Sequence, residues 1–316
     1  MKLQQAVTEY VAHQHTLGMH FVWGESILIP FIRAVGGDVE LKNVSKDAVR
    51  SYLMGKGVMT PYVSCKYSVL KGFYRFAMAR GYVSTSPLPK TLPKITSTFA
   101  PYIYSREELK NLFAATDALE KHWDVLRAPT IRTILILLYG TGLRCSEAVD
   151  LTVADVELAD NLLIIRESKF YKTRLVPISP QLSTVLYAYF QKRKRWHRPI
   201  TGNSAFFATV KKPSLTRQHV ESIFKDLRVW AGLYRPERGS SQQPRIHDLR
   251  HTSAVHRLIA WYREGKDVQK LLPYLSAYLG HQSLSGTQRY LSMTPELLTE
   301  VNQRFEGYAL SEVNHD

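Results

Sequence analysis

The chain has 316 residues, 42 Lys and Arg against 27 Asp and Glu, a formal net charge of +15 and 45% hydrophobic residues. That hydrophobic share excludes a disordered chain, the length sets an expectation of two domains, and the basic balance makes a polyanion the leading partner. Two cysteines, Cys65 and Cys145, exclude a disulfide framework. With no apolar signal core in Met1 to Tyr10 and no apolar run near the roughly 20 residues a bilayer needs, a cytoplasmic protein without a membrane span is expected.

Residues 1 to 100 hold 12 Lys and Arg against 5 Asp and Glu, residues 101 to 290 hold 29 against 17, and residues 291 to 316 hold 1 against 5. The excess is shared by two bodies and missing from the tail. In the first body Leu3, Val7, Tyr10 and Val11 follow helical spacing. The stretch Ser64 to Arg80 then puts Tyr67, Leu70, Phe73, Tyr74 and Ala77 on one side and ends at Gly81. Lys66, Lys71, Arg75 and Arg80 occupy the remainder of that helix, a face suited either to phosphates or to solvent. Between Val83 and Pro101, Pro87, Pro89, Pro93 and Pro101 mark a semi-extended connector. The expected organisation is a helical domain over 1–84, a linker over 85–100, a second domain over 101–306 and an acidic tail over 307–316. Two basic bodies on such a strap can close around a duplex as a clamp, since phosphate neutralisation supplies most non-specific affinity.

The second body opens on Ser105-Arg-Glu-Glu108, a capping box ahead of a helix through Leu109, Leu112 and Phe113. Arg132 to Tyr139 reads as a buried helix broken by Gly140 and Gly142. Leu162 to Arg166 and Arg174 to Ile178 flank Glu167 to Thr173 as a small β-ribbon with a basic turn, and helical periodicity returns from Gln181. The predicted fold is mainly α with a small antiparallel β-sheet. The run Lys192 to Arg195 suits DNA or a charged helix end equally.

Six positions suggest chemistry: Arg144 in TGLRCSE, Lys169 in ESKFYKTR, His247 and Arg250 in HDLRH, His281 in LGH, and Tyr290. Phosphodiester exchange needs a modest nucleophile, neutralisation of two non-bridging oxygens, and a proton for the departing sugar oxygen. Arginine forks match two phosphate oxygens, so Arg144 and Arg250 can clamp them without a metal or other cofactor. A tyrosine nucleophile conserves the energy of the broken bond as a phosphotyrosyl ester. Lys169 on its turn suits a proton donor, His281 a phosphate ligand, and His247 either deprotonation of Tyr290 or stabilisation of the transition state. Each residue also has a plain structural use. Arg144 can pair with Glu147, Lys169 has Lys172 and Arg174 beside it, His281 can close a helix end, and Tyr290 is one of 18 tyrosines.

It is the joint pattern that is specific. Gly-Leu-Arg-x-Ser-Glu at 142 to 147, a ribbon lysine 25 residues after Arg144, His-x-x-Arg at 247 to 250, Leu-Gly-His at 279 to 281 and a tyrosine nine residues further resemble the tyrosine recombinase (phage integrase) family from Ser105 to about Phe305. The resemblance implies a helical core-binding domain followed by a mixed α/β catalytic domain. It also implies that Arg144 and Arg250 bind the scissile phosphate, Lys169 is the general acid, His247 and His281 support phosphate and proton transfers, and Tyr290 is the nucleophile. Its implied partners are double-stranded DNA carrying specific recombination sites and a homo- or hetero-tetramer on that DNA, with accessory proteins left open. Integration, excision, resolution and transposition of a mobile element all fall within it. A helix starting at Thr294-Pro295, with Leu297, Leu298, Val301 and Phe305 on one side, is expected to pack either on a neighbouring protomer or on its own domain. One departure is the 30-residue step from Arg250 to Gly280, longer than in compact members and expected as a solvated loop and an extended helix, with contact of Arg263, Lys266 and Lys270 to DNA or a partner as the alternative. Three alternatives remain. A type IB topoisomerase shares the chemistry but reseals the same strand, and a DNA-binding regulator would not use it. A zinc metallohydrolase would use His247 and His251 at i and i+4, with Glu264 or His281 as the third ligand.

Overall fold

The computed structural model describes residues 1–55, 60–92, 101–119, 128–168, 172–196, 199–209, 213–239 and 242–292, together with 297 and 299. The chain forms two compact units, Met1–Thr98 and Phe99–Asp316.

The first unit is helical: α1 (Leu3–Thr16), α2 (Val22–Val35), α3 (Lys46–Met54) and α4 (Pro61–Ala79). Ser45 starts α3 by accepting from the Ala48 N–H at 3.1 Å, and Pro61 occupies the first turn of α4, where its missing N–H costs nothing. The periodic residues meet as expected: Leu3, Val7, Leu28, Phe31, Leu70, Phe73 and Tyr74 are buried together. Part of the Pro-rich connector belongs to this unit. Leu88 and Leu92 pack against its core, and Tyr67 Oη donates to the Pro89 carbonyl at 2.8 Å.

The second unit begins with α5 (Arg106–Ala115), capped by the reciprocal bonds of Ser105 and Glu108, 3.1 and 2.8 Å. The next helix, α6 (Ala128–Thr141), runs through Gly140 instead of breaking there. An added Cβ at Gly140 would face the flexible tip of Leu182, whereas Gly142, at φ +64°, does end the helix. A five-residue helix, α7 (Cys145–Val149), leads into a three-stranded antiparallel sheet in order β1 (Val156–Glu157), β2 (Leu162–Ser168), β3 (Lys172–Pro177). Leu163 opposes Val176 and Ile165 opposes Arg174. The ribbon is therefore as expected, with a third short strand in addition. Then come α8 (Pro180–Lys194) and α9 (Arg217–Trp230). Within the basic end of α8, Arg193 is buried and donates to the Phe206 carbonyl at 2.9 Å, so that member of the Lys192–Arg195 run faces the interior.

The step from Arg250 to Gly280 is neither a loop nor one long helix. It holds α10 (Asp248–Arg263) and α11 (Val268–Leu279), separated by a turn at Gly265 (φ +72°) and restarted by Asp267, which accepts from the Lys270 N–H at 3.2 Å. The reason is an apolar stripe, Val268, Leu272, Leu275 and Leu279, which buries against Ala254, Val255 and Leu258 of α10. That cluster also holds Tyr290 and Leu297. A short α12 (Ser285–Gln288) and a helical turn at Arg289–Ser292 deliver Tyr290. The expected C-terminal helix, apart from Leu297 and Thr299, and the acidic tail lie outside the described residues. None of the described helices is long and apolar enough to cross a membrane.

Candidate active site

Arg144 stands at the start of α7, where its backbone N–H and Nη1 both reach Glu147, at 2.9 and 2.6 Å. Its Nη2 donates to the Gly280 carbonyl at 3.1 Å. The ion pair with Glu147 is thus real, but it is one half of a brace that aims the guanidinium. Arg250, in the first turn of α10 and 2% exposed, donates from Nη1 to the Gly142 carbonyl and from Nη2 to the Leu279 carbonyl, each at 2.6 Å. The two arginines therefore hang on the adjacent carbonyls of Leu279 and Gly280. Two glycines permit this approach. A Cβ on Gly142 would lie 2.6 Å from Leu279 Cδ2, and one on Gly280 (φ +69°) 2.9 Å from the Arg174 guanidinium.

Arg174 and Glu147 were not among the predicted site residues. Arg174 lies on β3 and donates from Nη1 and Nη2 to the two Glu147 oxygens, at 3.1 and 2.8 Å. Burial by itself would raise the Glu147 pKa, but the hydrogen bonds and charges of Arg174 and Arg144 override it and hold the carboxyl at about 2. One signal in the sequence pointed this way. Arg174 shares its strand face with the buried Val176, an inward position where a charge needs a partner.

His247 stands at the start of α10, a helix end fixed by Arg245 and the buried Asp248, paired at 2.8 Å. Its ring is exposed yet crowded, and desolvation first, then Arg250 and Arg245, push its pKa down. His281 follows the left-handed Gly280. Its backbone N–H closes α11 on the Ser276 carbonyl at 3.0 Å, and its Nδ1 lies 2.7 Å from the buried Thr287 hydroxyl. Burial, then Arg250 and Arg144, lower its pKa to about 4. Tyr290 is 1% exposed. Burial raises its pKa while Arg250, Arg289 and Arg144 oppose the rise.

Two groups reach the phenol: Arg250, which hydrogen-bonds it, and His251, whose Nδ1 lies 3.0 Å from Tyr290 Oη. His247 instead packs its ring edge-on against His251, with centroids 5.0 Å apart. Burial, followed by the charge of neighbouring groups, takes the His251 pKa down to about 3, so the imidazole is neutral. The structure thus brings Arg144, His247, Arg250, His281 and Tyr290 into one neighbourhood and adds His251, Arg174 and Glu147. Lys169 lies outside the described residues. Among the described residues no three His, Cys, Asp or Glu side chains converge to hold a metal ion, and His251 of the suggested zinc pair faces Tyr290.

A groove of about 650 Å³ opens from this centre, lined by Arg144 and His247 and continuing along Arg217, Lys225, Arg228, Arg238 and Arg245. A separate, largely apolar cavity of about 520 Å³ between α6, α8, α10 and α11 holds none of the six predicted residues.

Residues 105–296 match the phage integrase family. A putative integrase/recombinase, y4rE, of Sinorhizobium fredii is 30% identical over 96% of this chain and 95% of its own length. Tyrosine recombinase XerC of Chlorobaculum parvum is 31% identical over 79% of this chain and 74% of its own. In three dimensions the Tn1549 transposon integrase, in complex with a circular intermediate DNA, covers 96% of this chain and 99% of its own at a TM-score of 0.70 and 15% identity, a likeness of fold. The chain belongs to the phage integrase family and is a tyrosine recombinase, an enzyme of site-specific DNA recombination. The topoisomerase-like and metallohydrolase alternatives are not favoured.

Proposed function

We propose that this recombinase breaks and rejoins double-stranded DNA through a covalent 3′-phosphotyrosyl bond at Tyr290. The observation that carries the reading is the convergence of Arg144 and Arg250, held on neighbouring carbonyls, with Tyr290 in the field of both. Two forked donors supply the charge that a five-coordinate phosphorane needs on its non-bridging oxygens, and their braces pre-pay the cost of orienting them. The Tyr290 oxygen attacks phosphorus as its phenolic proton passes to the neutral imidazole of His247, and the 5′ oxygen leaves. It takes a proton from Lys169, the general acid that the family resemblance assigns, and the free hydroxyl of a second strand reverses the step. Neutral His247 and His281 serve as hydrogen-bonding ligands of the phosphate. Because the phenol is 1% exposed, DNA must displace what covers it before the phosphate arrives, which separates binding from cleavage.

The basic groove running from Arg144 to Arg238 suits a phosphate track leading to the site. The first unit would act as a core-binding domain, and four protomers would assemble on paired recombination sites of a mobile element. A supercoiled plasmid carrying two sites, selected by the protein from a random-sequence library, tests this reading. Recombinant products containing the exchanged flanks are expected. Relaxation of plasmids lacking any site, without exchange, would instead support the topoisomerase alternative.

A further inference from the structure

The reading of Tyr290 as nucleophile leaves open what holds its oxygen, and α10 supplies an answer. Arg250, which hydrogen-bonds the phenol, and Arg289 and Arg144, whose charges act on it, carry donors only, so none of them can accept its proton. The neutral His251 ring carries one acceptor nitrogen, and its Nδ1 lies 3.0 Å from Oη with ring centroids 5.6 Å apart. His251 itself is 7% exposed and lies next to Arg250 in the sequence, on a 16-residue helix, whereas Tyr290 rides on a four-residue turn.

We propose that His251 is the positioning residue of the nucleophile: its Nδ1 accepts the hydrogen bond of the Tyr290 phenol and keeps Oη in register with Arg250 while the covering residues open for DNA. Packing holds the buried phenol in the free protein, but once the covering residues open the short turn leaves rotation about the tyrosine side-chain bonds free to sweep Oη over several ångströms. A contact from the same rigid helix that carries a phosphate-binding arginine ties attacking atom and target to one body. This role differs from those assigned to His247 and His281, which face the phosphate.

The test is single-turnover cleavage at saturating DNA, with DNA affinity and thermal melting measured beside it. His251→Leu is expected to bind DNA as wild type does and to cleave more slowly by on the order of 10²-fold, the cost of a nucleophile displaced by about an ångström. His251→Asn, which places an amide oxygen near the Nδ1 position, is expected to recover most of that loss. Wild-type cleavage by the Leu variant, or an Asn variant no faster than Leu, overturns the proposal. Should the Leu variant fail to fold, ¹⁵N-histidine spectra decide. Tyr290→Phe is expected to shift the His251 Nδ1 resonance towards that of an unbonded acceptor nitrogen, and an unmoved resonance overturns the proposal. Cleavage that survives in Tyr290→Phe removes the nucleophile assignment itself, an outcome distinct from either of these.

Discussion

Two tyrosines, one in each unit, are almost fully enclosed: Tyr74 at 0% and Tyr290 at 1% exposure. Tyr74 sits on α4 against Phe73, its hydroxyl has no hydrogen-bond partner among the described residues, and burial is the cause that drives its pKa upward. Tyr290 has the same degree of burial, but its hydroxyl meets His251 and the charges of three arginines pull its pKa back. The two surroundings differ in the same way. Among the described residues, the buried charged side chains Glu147, Asp155, Arg193, Asp248 and Arg250 all belong to the second unit, while the first unit's core is apolar and aromatic. A buried phenol is a packing element by default. In the proposed function it becomes a reactive group, because there the fold accepts the desolvation of nearby cations and anchors them in advance.

Replacing each phenol by phenylalanine separates the two most sharply. Tyr290→Phe should reduce strand cleavage to background with DNA binding retained, measured as nicked product against a gel shift. Next in size is Arg144→Ala, which should slow the chemical step by on the order of 10²-fold if its donor meets transition-state charge. Full cleavage by this variant would reduce the brace on Gly280 to a structural device.

Acid should distinguish the units next. The folded-state pKa values of His251 and His281 lie near 3 and 4, below the unfolded value of 6.5, and that of Glu147 lies near 2, below 4.5. In each case the unfolded chain takes up protons first. The stability these groups lend is present above the unfolded values and is lost as pH falls, from about 6.5 for the histidines and from about 4.5 for Glu147. Hydrogen exchange on an acid series should therefore show α7, α10 and α11 opening before α4. The smallest effect belongs to Tyr74→Phe. Removing an unpartnered buried hydroxyl should leave cleavage unchanged and raise stability by about 1 kcal/mol in a urea titration of the first unit.

Much of the architecture was legible because helices and ribbons advertise their period. The Ser105 box, the α4 stripe and the two strands around residue 170 are local patterns that the packed structure retains. Gly140 was misleading because a glycine inside a helix looks like a terminator until its neighbour, the tip of Leu182, is known. The stretch between Arg250 and Gly280 misled for the opposite reason. Its stripe is helical, but the choice between solvent and core depended on α10, far from any local signal. At the site, residue types and order singled out the arginines and Tyr290, which the fold brings into one neighbourhood. They said nothing of Glu147 as the shared anchor, because the pairing joins α7 to β3 across 27 residues. His251 stood in plain view beside Arg250, but only as one half of a zinc pair. Which histidine reaches a phenol is decided by the turn that carries Tyr290, and a spacing of residues does not contain that turn.

Trapping the covalent intermediate tests Tyr290 as the nucleophile. The protein is incubated with a duplex of its selected site nicked just beyond the cleavage point, so that the released fragment diffuses away, and the protein–DNA adduct is digested and mapped by peptide mass. A single DNA-linked peptide is expected, modified at Tyr290 and joined to a 3′ phosphate. An adduct on any other tyrosine, a 5′ linkage, or strand exchange that proceeds with no adduct at all would contradict that assignment.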